Sequence, residues 1–92
     1  MRWWRRLLDG GATARKVWEL QDYFEEINRI AKSGGLDRRR KYIRVLGAEI
    51  HNKFGIKGMQ TVCYSVYDSM GNQGAYSAWF NHNWHMIGQW RR

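Results

Sequence analysis

Proline is missing from this 92-residue chain, and cysteine occurs once. Without proline no helix interior carries an obligatory break, so the stretches between glycines stay open to helix. The single thiol, Cys63, excludes an internal disulfide, and there is no C-x-x-C pair of the kind that commonly holds zinc. β-Branched residues are too sparse for a sandwich or barrel. No apolar run approaches the roughly 18–20 residues that a bilayer span requires. The opening MRWWRRLL has the cations of a secretory signal but lacks its apolar centre of about 7–15 residues, and is expected to be mature sequence. A reducing, cytoplasmic location is the expectation.

Acids are scarce as well: 8 Asp and Glu stand against 16 Lys and Arg, giving a formal charge of +8. Polyanions are therefore the natural partners, nucleic acid first and anionic lipid or an acidic protein surface second. A hydrophobic content of 43% in so short a chain suits one small domain, residues 1–92, with a modest core.

What is present reads as helix. Glycines punctuate the chain at Gly10 and Gly11, Gly34 and Gly35, Gly55, Gly71 and Gly74, with helical periodicity between the marks. Residues 2–9 divide into a Trp3, Trp4, Leu7, Leu8 side and an arginine side, which predicts a short amphipathic helix or arm. From Thr13, a candidate N-cap, Val17, Leu20, Phe24, Ile27 and Ala31 recur at spacings of three and four, and Ser33-Gly34-Gly35 stops the helix. Glu25 and Arg29 are placed to pair on its surface. A next helix, capped by Asp37, buries Ile43, Leu46, Ile50 and Phe54 and ends at Gly55. A third, about 57–70, gathers Met59, Val62, Cys63, Val66, Tyr67 and Met70, with Thr61, Ser65, Asp68 and Ser69 facing away. Its TVCYSVY could pass for a strand, but the flanking methionines at helical spacing favour helix. The closing helix, 75–90, places Tyr76, Trp79, Phe80, Trp84, Met86, Ile87 and Trp90 on one side and His82 and His85 on the other. Asn83 interrupts the apolar arc and needs a hydrogen bond if buried. The expected fold is all-α: a bundle of about four helices over 13–92 plus the short N-terminal helix, joined by connections of about two to five residues.

Few residues suggest chemistry. H-x-x-H at His82 and His85 supplies two nitrogens and no neighbouring carboxylate, so a metal would need His51 or Cys63 from elsewhere. A Cys63 and His51 dyad is conceivable, but Cys63 lies in an apolar stripe, where a lone cysteine packs as a small core residue. No metal, cofactor, small-molecule substrate or enzymatic role is expected.

The basic run LDRRRKYIR, residues 36–44, fits an ordinary solvated helix less well. Four consecutive cations at a helix start oppose the macrodipole and repel one another. Residues 36–54 hold six cations and two anions, against four of each in 13–33. Arg38, Arg39, Arg40, Lys41 and Arg44 are thus the candidate phosphate contacts on RNA or DNA, with His51 continuing the row and Arg2, Arg5, Arg6, Arg91 and Arg92 extending the patch. The leading expectation is a non-enzymatic nucleic-acid-binding module. The alternatives are an accessory or inhibitor subunit that binds a protein partner or a second copy through aromatic and basic surfaces, and a domain that rests on a membrane surface through residues 1–9.

IRVLGAEIHNKFGIKGM (43–59), followed by WHMIGQW (84–90), resembles a pattern in small uncharacterised bacterial proteins with a glycine-punctuated helix pair and a closing W-x-x-I-G-x-W. The likeness covers about the last half of the chain. It implies a bacterial, cytoplasmic helical domain and carries no activity or functional residue with it.

Overall fold

The computed structural model describes residues 14–90. They form three helices, α1 (Ala14–Lys32), α2 (Arg40–Ser69) and α3 (Gly74–Asn83), and no strand. The fold class is all-α as expected, with three helices among the described residues instead of about four. The expected N-terminal helix and the Thr13 cap lie outside those residues.

In α1 the stripe of Val17, Leu20, Phe24, Ile27 and Ala31 is buried, and Ile30 joins it. Each fully buried aliphatic side chain such as Leu20 or Ile27 contributes roughly 1.5–3 kcal/mol. The helix ends where the glycines stand. Gly34 takes φ +74° and donates to Ala31 O, while Gly35 donates to Ile30 O, both at 3.0 Å. This pair of bonds is a Schellman stop, which satisfies two otherwise orphaned carbonyls. On the surface Arg29 pairs with Glu26 instead of Glu25, which accepts from Gln21 Nε2 at 3.0 Å. Neighbours three and four apart compete on equal terms along a helix.

Two expected helices are one continuous assignment in α2, yet its backbone breaks where the stop was expected. Gly55 leaves helical geometry at φ 73°, ψ −168°, a conformation that side chains rarely adopt. The 40–54 part buries Ile43, Leu46 and Ile50 and returns against α1, where Tyr23 Oη donates to Glu49 Oε1 at 3.1 Å and Tyr23 meets Phe54 edge-on. Phe54 is half-buried. The 56–69 part, which contains TVCYSVY, buries Met59, Val62, Cys63 and Val66. Ser65, expected to face outward, is buried too; its hydroxyl donates to Thr61 O one turn back at 2.7 Å, which satisfies it in place. A second Schellman stop follows, with Gly71 at φ +79° and Asn72 donating to Tyr67 O at 3.0 Å.

The closing helix is shorter than its periodicity suggests. It stops at Asn83, and residues 84–90 continue as two linked turns, Ile87 N–H to Trp84 O and Trp90 N–H to Ile87 O, each 3.0 Å. A spacing of three turns Trp84, Ile87 and Trp90 inward in these turns just as in a helix, and all three are buried. Met86, expected in the apolar arc, is instead exposed, at φ 69°. Asn83 finds the bond it needs, donating from Nδ2 to Trp79 O at 2.9 Å.

Trp84 is completely buried and lies against Gly47 of α2, with its Nε1 donating to Ile43 O at 3.1 Å. A Cβ on Gly47 would sit 2.5 Å from that nitrogen and 2.7 Å from the neighbouring ring carbon. Phe80 and Trp90 pack edge-on to Trp84, at centroid distances of 4.8 and 5.3 Å. One hydrophobic cluster joins these aromatics to the buried residues of α1 and α2.

Helix propensity alone favours alanine over glycine by about 0.5–1 kcal/mol. Gly47→Ala is expected to act in the opposite sense, destabilising by about 1–3 kcal/mol through overpacking against Trp84. Thermal unfolding checks the sign; a raised melting temperature would contradict this packing.

Candidate nucleic-acid interface

The basic run does not start the helix as expected. Arg38 and Arg39 lie in the turn of residues 36–39, and α2 begins at Arg40, with Arg39 at the cap position making no side-chain cap. Asp37 is not the cap. Its carboxylate accepts from Trp79 Nε1 at 2.7 Å, tying the α1–α2 connection to α3. This connection, residues 33–39, is longer than expected because it carries both the glycine stop of α1 and the turn that presents the cations.

Arg38, Arg39, Arg40, Lys41 and Arg44 are all exposed. The Arg39 guanidinium lies 4.7 Å above the Tyr42 ring, an arrangement that steadies the cation without neutralising it. No carboxylate among the described residues forms a salt bridge with Arg38, Arg40 or Lys41. The first turn of α2 contains no acid, so these charges add to the positive end of the helix dipole.

Arg44 differs. Its Nη1 donates to Asn83 O at 2.5 Å and to His85 O at 3.2 Å, where α3 ends. A cation at a helix C-terminus complements the dipole and satisfies carbonyls left without helical partners. His51, two turns further along α2, lies against Gly88; a Cβ on that glycine would fall 2.1 Å from His51 Nε2. The row Arg40, Arg44, His51 therefore runs beside the chain's own closing segment, and its free end is the turn at Arg38–Lys41. Arg2, Arg5, Arg6, Arg91 and Arg92 lie outside the described residues.

The remaining candidates separate. His82 is exposed, while His85 is half-buried with its Nδ1 enclosed and without a hydrogen-bond partner. Among the described residues no group of three His, Cys, Asp or Glu is placed to hold a metal. Cys63 is buried, and desolvation pushes its thiol from 9.0 up to about 12. At neutral pH it is a protonated thiol, whereas nucleophilic attack requires the thiolate. Among the described residues no helix is long and apolar enough to cross a membrane.

Sequence reasoning missed a groove between the 56–69 part of α2 and α3. One part, of about 300 Å³, is lined by Gln60, Cys63, Tyr64, Asn81, Gln89 and Trp90 among others. An adjoining part, of about 470 Å³, extends past Tyr67 and Ala78. Both include Tyr64, Ser77 and Asn81, so the two parts adjoin along these residues. The repeated Asn and Gln in 60–89 were a compositional hint, but only the antiparallel return of α3 brings them to one place. Comparison with protein-family models, curated proteins and solved structures finds no match.

Two outcomes follow from this geometry. Arg44→Ala is expected to destabilise the protein by about 1.5–3 kcal/mol in urea unfolding, because charged hydrogen bonds to two carbonyls are lost. Arg40→Ala should stay within about 0.5 kcal/mol of the parent. Separately, Cys63 should react with a disulfide reagent at mildly alkaline pH only after denaturant is added. Rapid labelling of the native protein would contradict its burial.

Proposed function

We propose that this protein is a small, non-enzymatic module that binds nucleic-acid backbone through the turn preceding α2. The observation that carries the reading is the exposed run Arg38–Lys41, which no carboxylate among the described residues engages in a salt bridge, at a helix whose first turn has no acid. Phosphates there would relieve like-charge repulsion, meet the positive helix end and release counterions. Arg44 supports this face by holding the end of α3 in place through the Asn83 and His85 carbonyls. Arg2, Arg5, Arg6, Arg91 and Arg92 would extend the patch.

A second reading draws on a different surface. Trp18 is 69% exposed on the outer side of α1, where its large aromatic surface is open to a partner. It favours an accessory or inhibitor subunit whose partner is another protein. Purification from the native host separates the two: bound nucleic acid removed by high salt supports the first, and a stoichiometric protein that survives high salt supports the second.

For the first reading, log affinity for a generic duplex should fall linearly with log salt. Arg40→Ala combined with Lys41→Ala should make that slope shallower by about 1.8, two phosphate contacts, without lowering the melting temperature. An unchanged slope would place the contacts elsewhere.

A further inference from the structure

The groove between α2 and α3 contrasts with the rest of this cationic molecule. None of the described residues lining it is charged. Three carboxamide residues, Gln60, Asn81 and Gln89, and the hydroxyl residue Ser77 are among those that line it. The Tyr64 ring stands on its rim, 62% exposed, while Trp90 and Cys63 are buried at its floor. Carboxamides offer a donor and an acceptor together, the pattern that pairs with the edge of a nucleobase. An exposed tyrosine offers the flat face on which an unpaired base stacks.

We infer that this groove receives an unpaired nucleobase, which makes single-stranded nucleic acid, rather than duplex, the preferred ligand class. The inference rests on the backbone-binding reading above for its phosphate contacts. Charge around the groove fits a base flanked by its own backbone. Lys57 is exposed and lies two turns from Tyr64 on the same side of α2, where it can meet the adjoining phosphate. Asp68, one turn beyond Tyr64, closes the other end to phosphate and gives the strand a direction. A duplex base, stacked and paired, has neither its face nor its pairing edge free for these groups.

The test compares an oligothymidylate of about twelve nucleotides with an abasic strand of the same backbone and length, binding to the full chain. The expected result is roughly tenfold tighter binding of the base-bearing strand. Tyr64→Ala should abolish that difference and leave the salt slope unchanged; Tyr64 is exposed, so the variant should fold. In NMR spectra the side-chain amides of Gln60, Asn81 and Gln89 should shift with the oligothymidylate and stay in place with the abasic strand. Equal, salt-dependent binding of both strands would overturn the base groove and leave backbone binding standing. A base preference that survives in Tyr64→Ala with the three amides unmoved would overturn it as well, placing the bases elsewhere. Binding of neither strand would overturn both readings.

Discussion

An indole packed closely against a glycine organises this fold. Trp84 is completely buried, its ring occupies the space where a Cβ of Gly47 would stand, and its N–H donates to Ile43 O in the turn just before. A buried indole brings a large apolar area and one obligatory donor. Gly47 meets the first requirement by letting the ring approach the helix backbone, and Ile43 meets the second. Phe80 and Trp90 then pack edge-on to the same ring. The C-terminal segment becomes a strap along α2, fastened by Trp79 at Asp37, by the Asn83 and His85 carbonyls at Arg44, and by Gly88 at His51. Partner numbers rise together along both segments, so the strap runs parallel to the 40–54 part of α2 and antiparallel to the 56–69 part.

This fastening decides which charges remain available. Asp37 accepts a hydrogen bond from the Trp79 indole N–H instead of capping α2, and Arg44 donates to backbone carbonyls. The turn that carries Arg38–Lys41 is thereby pinned at its acidic end while its cations stay open to solvent. On the opposite flank of α3, Ser77 and Asn81 face the groove with Tyr64. A basic turn on one side and an uncharged, tyrosine-rimmed groove on the other give the two surfaces different chemical character, one cationic and one without charge among its described lining residues.

Much of the fold was legible because periodicity and glycine carry direct physical meaning. The α1 stripe is buried as its spacing requires, and Gly34 and Gly71 stop helices through the left-handed backbone that only glycine adopts without strain. The bond of Asn83 followed from its place within the apolar arc, where it is half-buried. The end of α3 was not legible, since Trp84, Ile87 and Trp90 at intervals of three point inward in a helix and in linked turns alike. The hydrogen bonds of Arg44 were not legible, since its partners are carbonyls some forty residues away, which carry no side-chain signature. Gly47 was the missed signal. A lone glycine inside a helical pattern suggests close approach by another group, though nothing local says that Trp84 supplies it.

The account depends on Trp84 being locked against α2, and hydrogen exchange of the tryptophan indoles measures that lock directly. The Trp84 Nε1 proton should exchange only through global unfolding, with protection equal to that of the slowest core amides, while the indole proton of exposed Trp18 should exchange orders of magnitude faster. A Trp84 indole that exchanges as readily as that of Trp18 would contradict the account, because the strap it fastens would then be open in the native protein.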